Sequence, residues 1–136
     1  MSTATPTADR IEIGELFARL ANLLDEGRDD DVHRVYHADV VVRSPRAELH
    51  GLDEVTAFLK GSRVAGERTQ HVHGDVLVRV DGDQATATTN QLVYFYRDGA
   101  PPHRTSGLRE TCTAVRTAEG WRISDMRITL AWTQER

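Results

Sequence analysis

The side chains in this 136-residue chain best suited to chemistry are one carboxylate and two imidazoles: Asp25, His71 and His73. An imidazole titrates near neutrality and can take or give a proton at pH 7, while a carboxylate beside it selects its tautomer and stabilises the imidazolium. Asp25 ends a segment of helical periodicity, on a stripe with Gly14, Ala18 and Ala21 whose small side chains leave space beside it. His71, His73 and Asp75 alternate along a β-rich segment and are expected on one face of a strand. Either histidine could meet Asp25, and only the fold can bring them together. Two histidines two apart, with Asp75 as a third donor, are a weak metal-ligand pattern, and no metal is expected. The sequence has no Gly-x-Gly-x-x-Gly, Walker loop or Gly-x-Ser-x-Gly, so the expected chemistry is done by side chains without a cofactor. Cys112, the single cysteine, sits between threonines and reads as a small buried hydrophobe. Asp29-Asp30-Asp31 reads as a solvated loop and helix start, because the Gly and Glu of a calcium loop are missing.

The elements that must position these groups follow from periodicity. Ile13, Leu16, Phe17, Leu20, Leu23 and Leu24 recur every three or four residues, which predicts an amphipathic helix over 9–27 with Thr7 or Asp9 as its N-cap. A short helix is expected over 31–37, a strand at Val40 to Arg43, a second short strand at Glu48 to Gly51 and a helix over 52–61. From Thr69 the texture is that of strands: 72–80, 84–97, 104–116 and 121–132, joined by short Gly-bearing turns, an antiparallel meander. Helices followed by strands predict an α+β fold with the helices on one face of a curved antiparallel sheet. Residues 1–8 are expected to be a disordered tail and 9–133 a single domain. Strand alternation places Asn90, Leu92, Tyr94 and Tyr96 on one face, and Met126, Ile128, Leu130 and Trp132 on another. The expected substrate-binding set is therefore Phe17, Tyr36, His73, Asn90, Leu92, Tyr94, Met126 and Trp132. Val72, Val76, Val78 and Val80 oppose the histidine face and look too apolar for water, so a homodimer burying them is expected.

Composition bounds the rest. The chain is 39% hydrophobic with a formal net charge of −4 and no basic cluster, so nucleic acid is not an expected partner. No apolar run approaches the roughly 20 residues that span a bilayer. The first residues carry neither a basic nor an apolar leader segment, so a cytoplasmic location is expected.

Several ordered segments together carry a resemblance: Ala21-Asn22-Leu23-Leu24-Asp25-Glu26-Gly27-Arg28, Tyr36-His37-Ala38-Asp39-Val40-Val41-Val42, Leu49-His50-Gly51-Leu52-Asp53-Glu54-Val55, Gln70-His71-Val72-His73-Gly74-Asp75, Val80-Asp81-Gly82-Asp83-Gln84-Ala85 and Gly120-Trp121-Arg122-Ile123. In order and spacing, over roughly residues 9–132, they resemble the SnoaL-like group of the nuclear-transport-factor-two-like superfamily. The resemblance implies a cone, in which a strongly curved sheet wraps about three N-terminal helices and leaves an internal apolar pocket, and a frequent sheet-to-sheet dimer. It also implies that an aspartate ending the first helix orients a histidine opening the first long strand, which selects Asp25 and His71 as the catalytic pair. The expected function is a cofactor-independent acid/base enzyme of the polyketide cyclase, dehydratase or isomerase type, acting on a small, largely apolar, carbonyl-bearing molecule. Tyr94 or another pocket hydroxyl would steady the oxyanion. The competing expectation is a non-catalytic ligand-binding or dimerising module on the same fold.

Overall fold

The computed structural model describes residues 5–136. Helix α1 (Pro6–Asp25) is followed by a 3-10 helix (Asp29–Arg34), strands β1 (Tyr36–Arg43) and β2 (Glu48–His50), helix α2 (Gly51–Gly61), and four long strands, β3 (Arg68–Asp81), β4 (Gln84–Tyr96), β5 (Arg104–Thr117) and β6 (Gly120–Glu135). Of the expected tail, residues 1–4 lie outside the described residues, Thr5 is the N-cap of α1, and residues 6–8 are its first turn. The Thr5 hydroxyl caps the helix by accepting from the Ala8 backbone N–H at 3.1 Å. Pro6 takes the first helical position, where its missing N–H costs nothing and its fixed φ is already helical. The expected second helix ends sooner than its apolar pattern suggests. Tyr36 has left it to start β1, beside Ile123 of β6.

The six strands form one curved, unclosed sheet in the order β2-β1-β6-β5-β4-β3, with the helices on its concave side. All neighbours are antiparallel except β1 and β6, which run parallel. The four long strands β3 to β6 form the expected antiparallel meander, and the parallel junction is the one by which β1 joins it. Because β3, β4 and β5 intervene between β1 and β6, no hairpin fixes their relative direction. The core lies between α1 and the sheet, with Ile13, Leu16 and Phe17 of the helix facing Trp121, Ile123 and Met126 of β6, all six fully buried.

Three bulges decide which side chains reach that concave side, since one extra residue reverses the alternation beyond it. In β3, Gly74 pairs with Asn90 but Leu77 pairs with Thr88, and Asp75 in the extra turn of backbone has φ 56°. In β6, the pairing slips once around Ser124 and again around Ala131. The bulge at Ser124 keeps Trp121, Ile123 and Met126 all on the core side, a spacing that regular alternation cannot produce.

A polar cluster fastens the start of α1 to the far end of the sheet. Arg116 of β5 donates two hydrogen bonds to the buried Asp9 carboxylate, at 2.9 and 2.8 Å, and the Trp121 indole N–H donates a third at 3.1 Å. The Arg116 bonds, with the Trp121 bond and the Arg116 charge, hold the Asp9 carboxyl below its usual range against the opposing effect of burial. No helix among the described residues is long and apolar enough to cross a membrane.

Candidate active site

Asp25 is the last residue of α1, and the helix packs along β3 so that its C-terminal end meets the start of that strand. There the Asp25 carboxylate collects three hydrogen bonds from β3. Oδ1 accepts from Nδ1 of His71 at 2.5 Å and from the Thr69 hydroxyl at 3.0 Å, while Oδ2 accepts from the His71 backbone N–H at 2.9 Å. Burial acts to raise the Asp25 carboxyl, but the bonds from the His71 ring, the His71 backbone and Thr69 outweigh it and leave the group below its ordinary value of 3.8. An ionised carboxylate only accepts, so Nδ1 carries a ring proton, and in the neutral ring the lone pair is on Nε2. Nε2 has no partner among the described residues, and the imidazole is 13% exposed.

His71 forms part of the wall of a cavity of about 210 Å³, together with Thr69, Leu24, Leu59, Val93 and Phe95. Through Val93 and Phe95 this lobe continues into a second of about 520 Å³, bounded by Leu108, Ile128, Leu130 and Arg104. Arg63 stands at the dyad's side of the mouth. Its guanidinium grips the buried Asp29 carboxylate at 2.5 and 2.8 Å and donates to the Leu24 carbonyl at 3.0 Å, so it anchors the last turn of α1. On the rim, Glu67 accepts from or shares a proton with His103 at 2.7 Å.

His73 lies on the same face as His71 but occupies a different environment. Its Nε2 is 2.9 Å from Glu110 and 3.1 Å from the Gln91 amide, and its ring packs on Phe17 with centroids 5.6 Å apart. With the His73 side chain 8% exposed and Glu110 3% exposed, this second imidazole and carboxylate are sealed inside the core beneath the cavity. Asp75 does not join the histidines. The bulge turns it to accept from Asn90 at 3.3 Å on the other side of the sheet. Among the described residues no three His, Cys, Asp or Glu are grouped to hold a metal ion. Cys112 is buried, and burial pushes its thiol up to about 12.

The expected lining is corrected in two ways. Phe17, Tyr36 and Met126 do face the concave side, but they are packed into the core and border neither lobe. Asn90, Leu92 and Tyr94 lie on the opposite, outer face, because the cavity side of β4 is the row Ala85, Ala87, Thr89, Gln91, Val93 and Phe95. The inward row begins with the buried Ala85 and Ala87 of the core and ends with Val93 and Phe95 at the cavity, so an aromatic side chain on β4 does not by itself tell the two faces apart. Trp132 is turned outward by the bulge at Ala131 and covers Gly107, although Ile128 and Leu130 keep the expected side. The valines of β3 are corrected for the same reason. Beyond the Asp75 bulge Val78 and Val80 pack on the core and Val76 lies against Gly14, leaving Val72 and Leu77 on the outer face. Thr69, Val93 and Phe95 were legible in principle, since Thr69 is two residues before His71 and the latter two pair across the strand from the histidine row. Arg63 and Arg104 carried no such signal.

Over residues 5–127 the chain matches the family described as SnoaL-like domain. The chain belongs to this family. It is 32% identical over 130 residues to the Mycobacterium tuberculosis (strain ATCC 25618 / H37Rv) protein Rv2910c, an alignment covering 90% of this chain and 86% of that one. The crystal structure of the SnoaL-like chain's relative Kfla4162 from Kribbella flavida superposes with a TM-score of 0.86 at 26% identity, over 96% of this chain and 95% of the other. A hexachlorocyclohexane dehydrochlorinase, LinA type 2, shares the fold with a TM-score of 0.84 at 12% identity, covering 96% and 90% of the two chains. The sheet and helices are accordingly those of the nuclear-transport-factor-two-like cone.

Proposed function

We propose that this SnoaL-like protein is a cofactor-independent acid/base enzyme of the cyclase, dehydratase or isomerase type, in which His71 moves a proton and Asp25 positions it. The observation that carries the reading is the asymmetry of the His71 ring: Nδ1 is committed to Asp25 at 2.5 Å, while the unpartnered Nε2 belongs to a side chain on the wall of a cavity of mixed polar and apolar lining. A lone pair held in that way is suited to removing a proton from carbon next to a carbonyl, and the nearby carboxylate stabilises the imidazolium that results. Protonated His71 then returns the proton, either to another carbon or to a departing hydroxyl. LinA type 2 bears the name of an enzyme that eliminates, a reaction of the same elementary kind. The cavity's size suits a small aromatic or polyketide-like molecule. With Tyr94 on the outer face, the oxyanion role expected for it passes to groups of the cavity itself. The reading further includes a single domain over 9–133, a cytoplasmic location and a homodimer formed through the outer face of the sheet.

The test is to incubate aromatic and polyketide-like β-hydroxy ketones with the protein in deuterium oxide and follow exchange at the α-carbon, and loss of water, by NMR. Exchange should fall by about 10²- to 10⁴-fold in His71→Ala with the circular dichroism unchanged. Equal exchange by wild type and variant would leave the non-catalytic binding module as the correct account.

A further inference from the structure

The second lobe of the cavity contains charge that the proton-transfer reading does not use. Arg104, at the start of β5, has its Cζ 3.9 Å from the centre of the Phe95 ring, and its Nε is buried with no hydrogen-bond partner. No acceptor among the described residues takes a bond from its other guanidinium nitrogens either, and its register partner Glu135 forms no ion pair with it. Across the mouth, Arg46 stacks over Phe58 with its Cζ 5.2 Å from the ring centre, and it too lacks a carboxylate. This contrasts with the other arginines near the cavity and core: Arg63 is taken by Asp29, Arg43 by Asp125 and Arg116 by Asp9. Of the two acids at the lobe, Glu67 is engaged by His103, and Glu135 lies at the exposed end of β6.

A buried donor without an acceptor is costly, more so when charged, and a stacked guanidinium has little freedom to find water. Arg104, with a buried and unsatisfied Nε, and the exposed Arg46, which has no carboxylate partner, border the same lobe and are arranged for an anion supplied from outside the chain. We infer that the second lobe binds a carboxylate carried by the substrate, held by Arg104 and Arg46, and that this contact sets which carbon is presented to His71. A planar guanidinium fork matches a carboxylate, which it can bond through two parallel N–H donors. Along the sheet, His71 pairs with Val93, Val93 with Ser106, and Arg104 lies two residues before Ser106. Two strand spacings and two residues amount to about 12 Å between the His71 and Arg104 backbones, which the two side chains shorten to the length of a small aromatic acid. The substrate class is then an apolar molecule with a carboxylate at one end and an activated C–H towards the other.

This inference rests on the proton-transfer reading only for the second half of that statement, so binding is tested apart from turnover. The probes are a set of arylalkanoic and cinnamic-type monocarboxylates, each paired with its uncharged primary amide, and Kd is measured by calorimetry and ligand-observed NMR. The wild-type protein should bind the best carboxylate about 10- to 100-fold more tightly than its amide. Arg104→Gln should remove most of that preference, and Arg46→Gln, an exposed position tolerant of change, should reduce it severalfold. His71→Ala should keep the preference while losing proton exchange. Carboxylates binding no better than amides, no carboxylate of the set binding, or an undiminished preference in both arginine variants would each overturn the inference. Loss of the preference in Arg104→Gln with exchange undiminished in His71→Ala would instead uphold the anion site and remove the proposed base.

Discussion

Asp25 spends its accepting capacity on a single strand, and this defines what each substitution there should do. Asparagine at 25 offers a donor as well as an acceptor, so it can hold His71 with the proton on the wrong nitrogen. Asp25→Asn should therefore lower proton exchange by roughly 10²-fold or more without removing the base, and the Asp25→Asn, His71→Ala double variant should be little worse than His71→Ala alone, because the pair acts as one unit. The same bonds link the residue to stability. The Asp25 carboxyl sits below its ordinary value of 3.8 in the folded protein, so its contribution is complete above that pH and is lost as pH falls through the lower folded value. Thermal unfolding followed from pH 6 to pH 2.5 should show the melting temperature falling below about pH 4 in wild type, and less steeply in Asp25→Asn. Asp9 contributes to the same acid limb through Arg116, so the slope should be reduced and not abolished.

Among the elements, β3 does the most to shape the site, because its bulge allows one strand to send histidines to the cavity and, farther on, Val78 and Val80 to the core. The bulge depends on Asp75 at φ 56°, a left-handed backbone that aspartate tolerates and β-branched residues do not. Asp75→Gly should be neutral or stabilising by up to about 1 kcal/mol, and Asp75→Val should destabilise by roughly 1–3 kcal/mol, as read from urea denaturation. Equal effects of the two would mean that the Asn90 contact, and not the backbone, secures the turn.

At the scale of the whole molecule, the concave side is filled by helices and the outer face of the sheet is left with Val72 46%, Leu77 72% and Trp132 46% exposed, beside the half-buried Leu92 and Tyr94. An apolar sheet face of that kind is the surface proposed for the homodimer, now with Leu77, Leu92, Tyr94 and Trp132 in place of the inward valines. Sedimentation equilibrium at micromolar concentration should return twice the 15.2 kDa chain mass, and Leu77→Lys with Trp132→Lys should return the monomer. A monomeric wild type would remove the dimer from the account.

Local pattern determined much of this protein. The 3.6-residue repeat of Ile13, Leu16, Phe17 and Leu20 made α1 legible, the Gly-bearing turns separated four long strands, and the small-residue stripe leading to Asp25 marked the helix end that meets β3. The two histidines shared a face because no bulge falls between them. What the sequence could not determine was which row of each strand faces inward. Both rows of β4 contain apolar and aromatic residues, Val93 and Phe95 on the inner one and Leu92 and Tyr94 on the outer, so which row is buried is settled only once helix and sheet are packed. The slips around Asp75, Ser124 and Ala131 then invert the alternation with no local signal strong enough to announce them, which sends Trp132 outward and Val78 inward. The residue pattern alone left Asp25 open to either histidine and the resemblance selected His71; the packing shows the physical reason for the contact, since Glu110, arriving from β5, claims His73 in the core and leaves His71 for the helix terminus and the cavity.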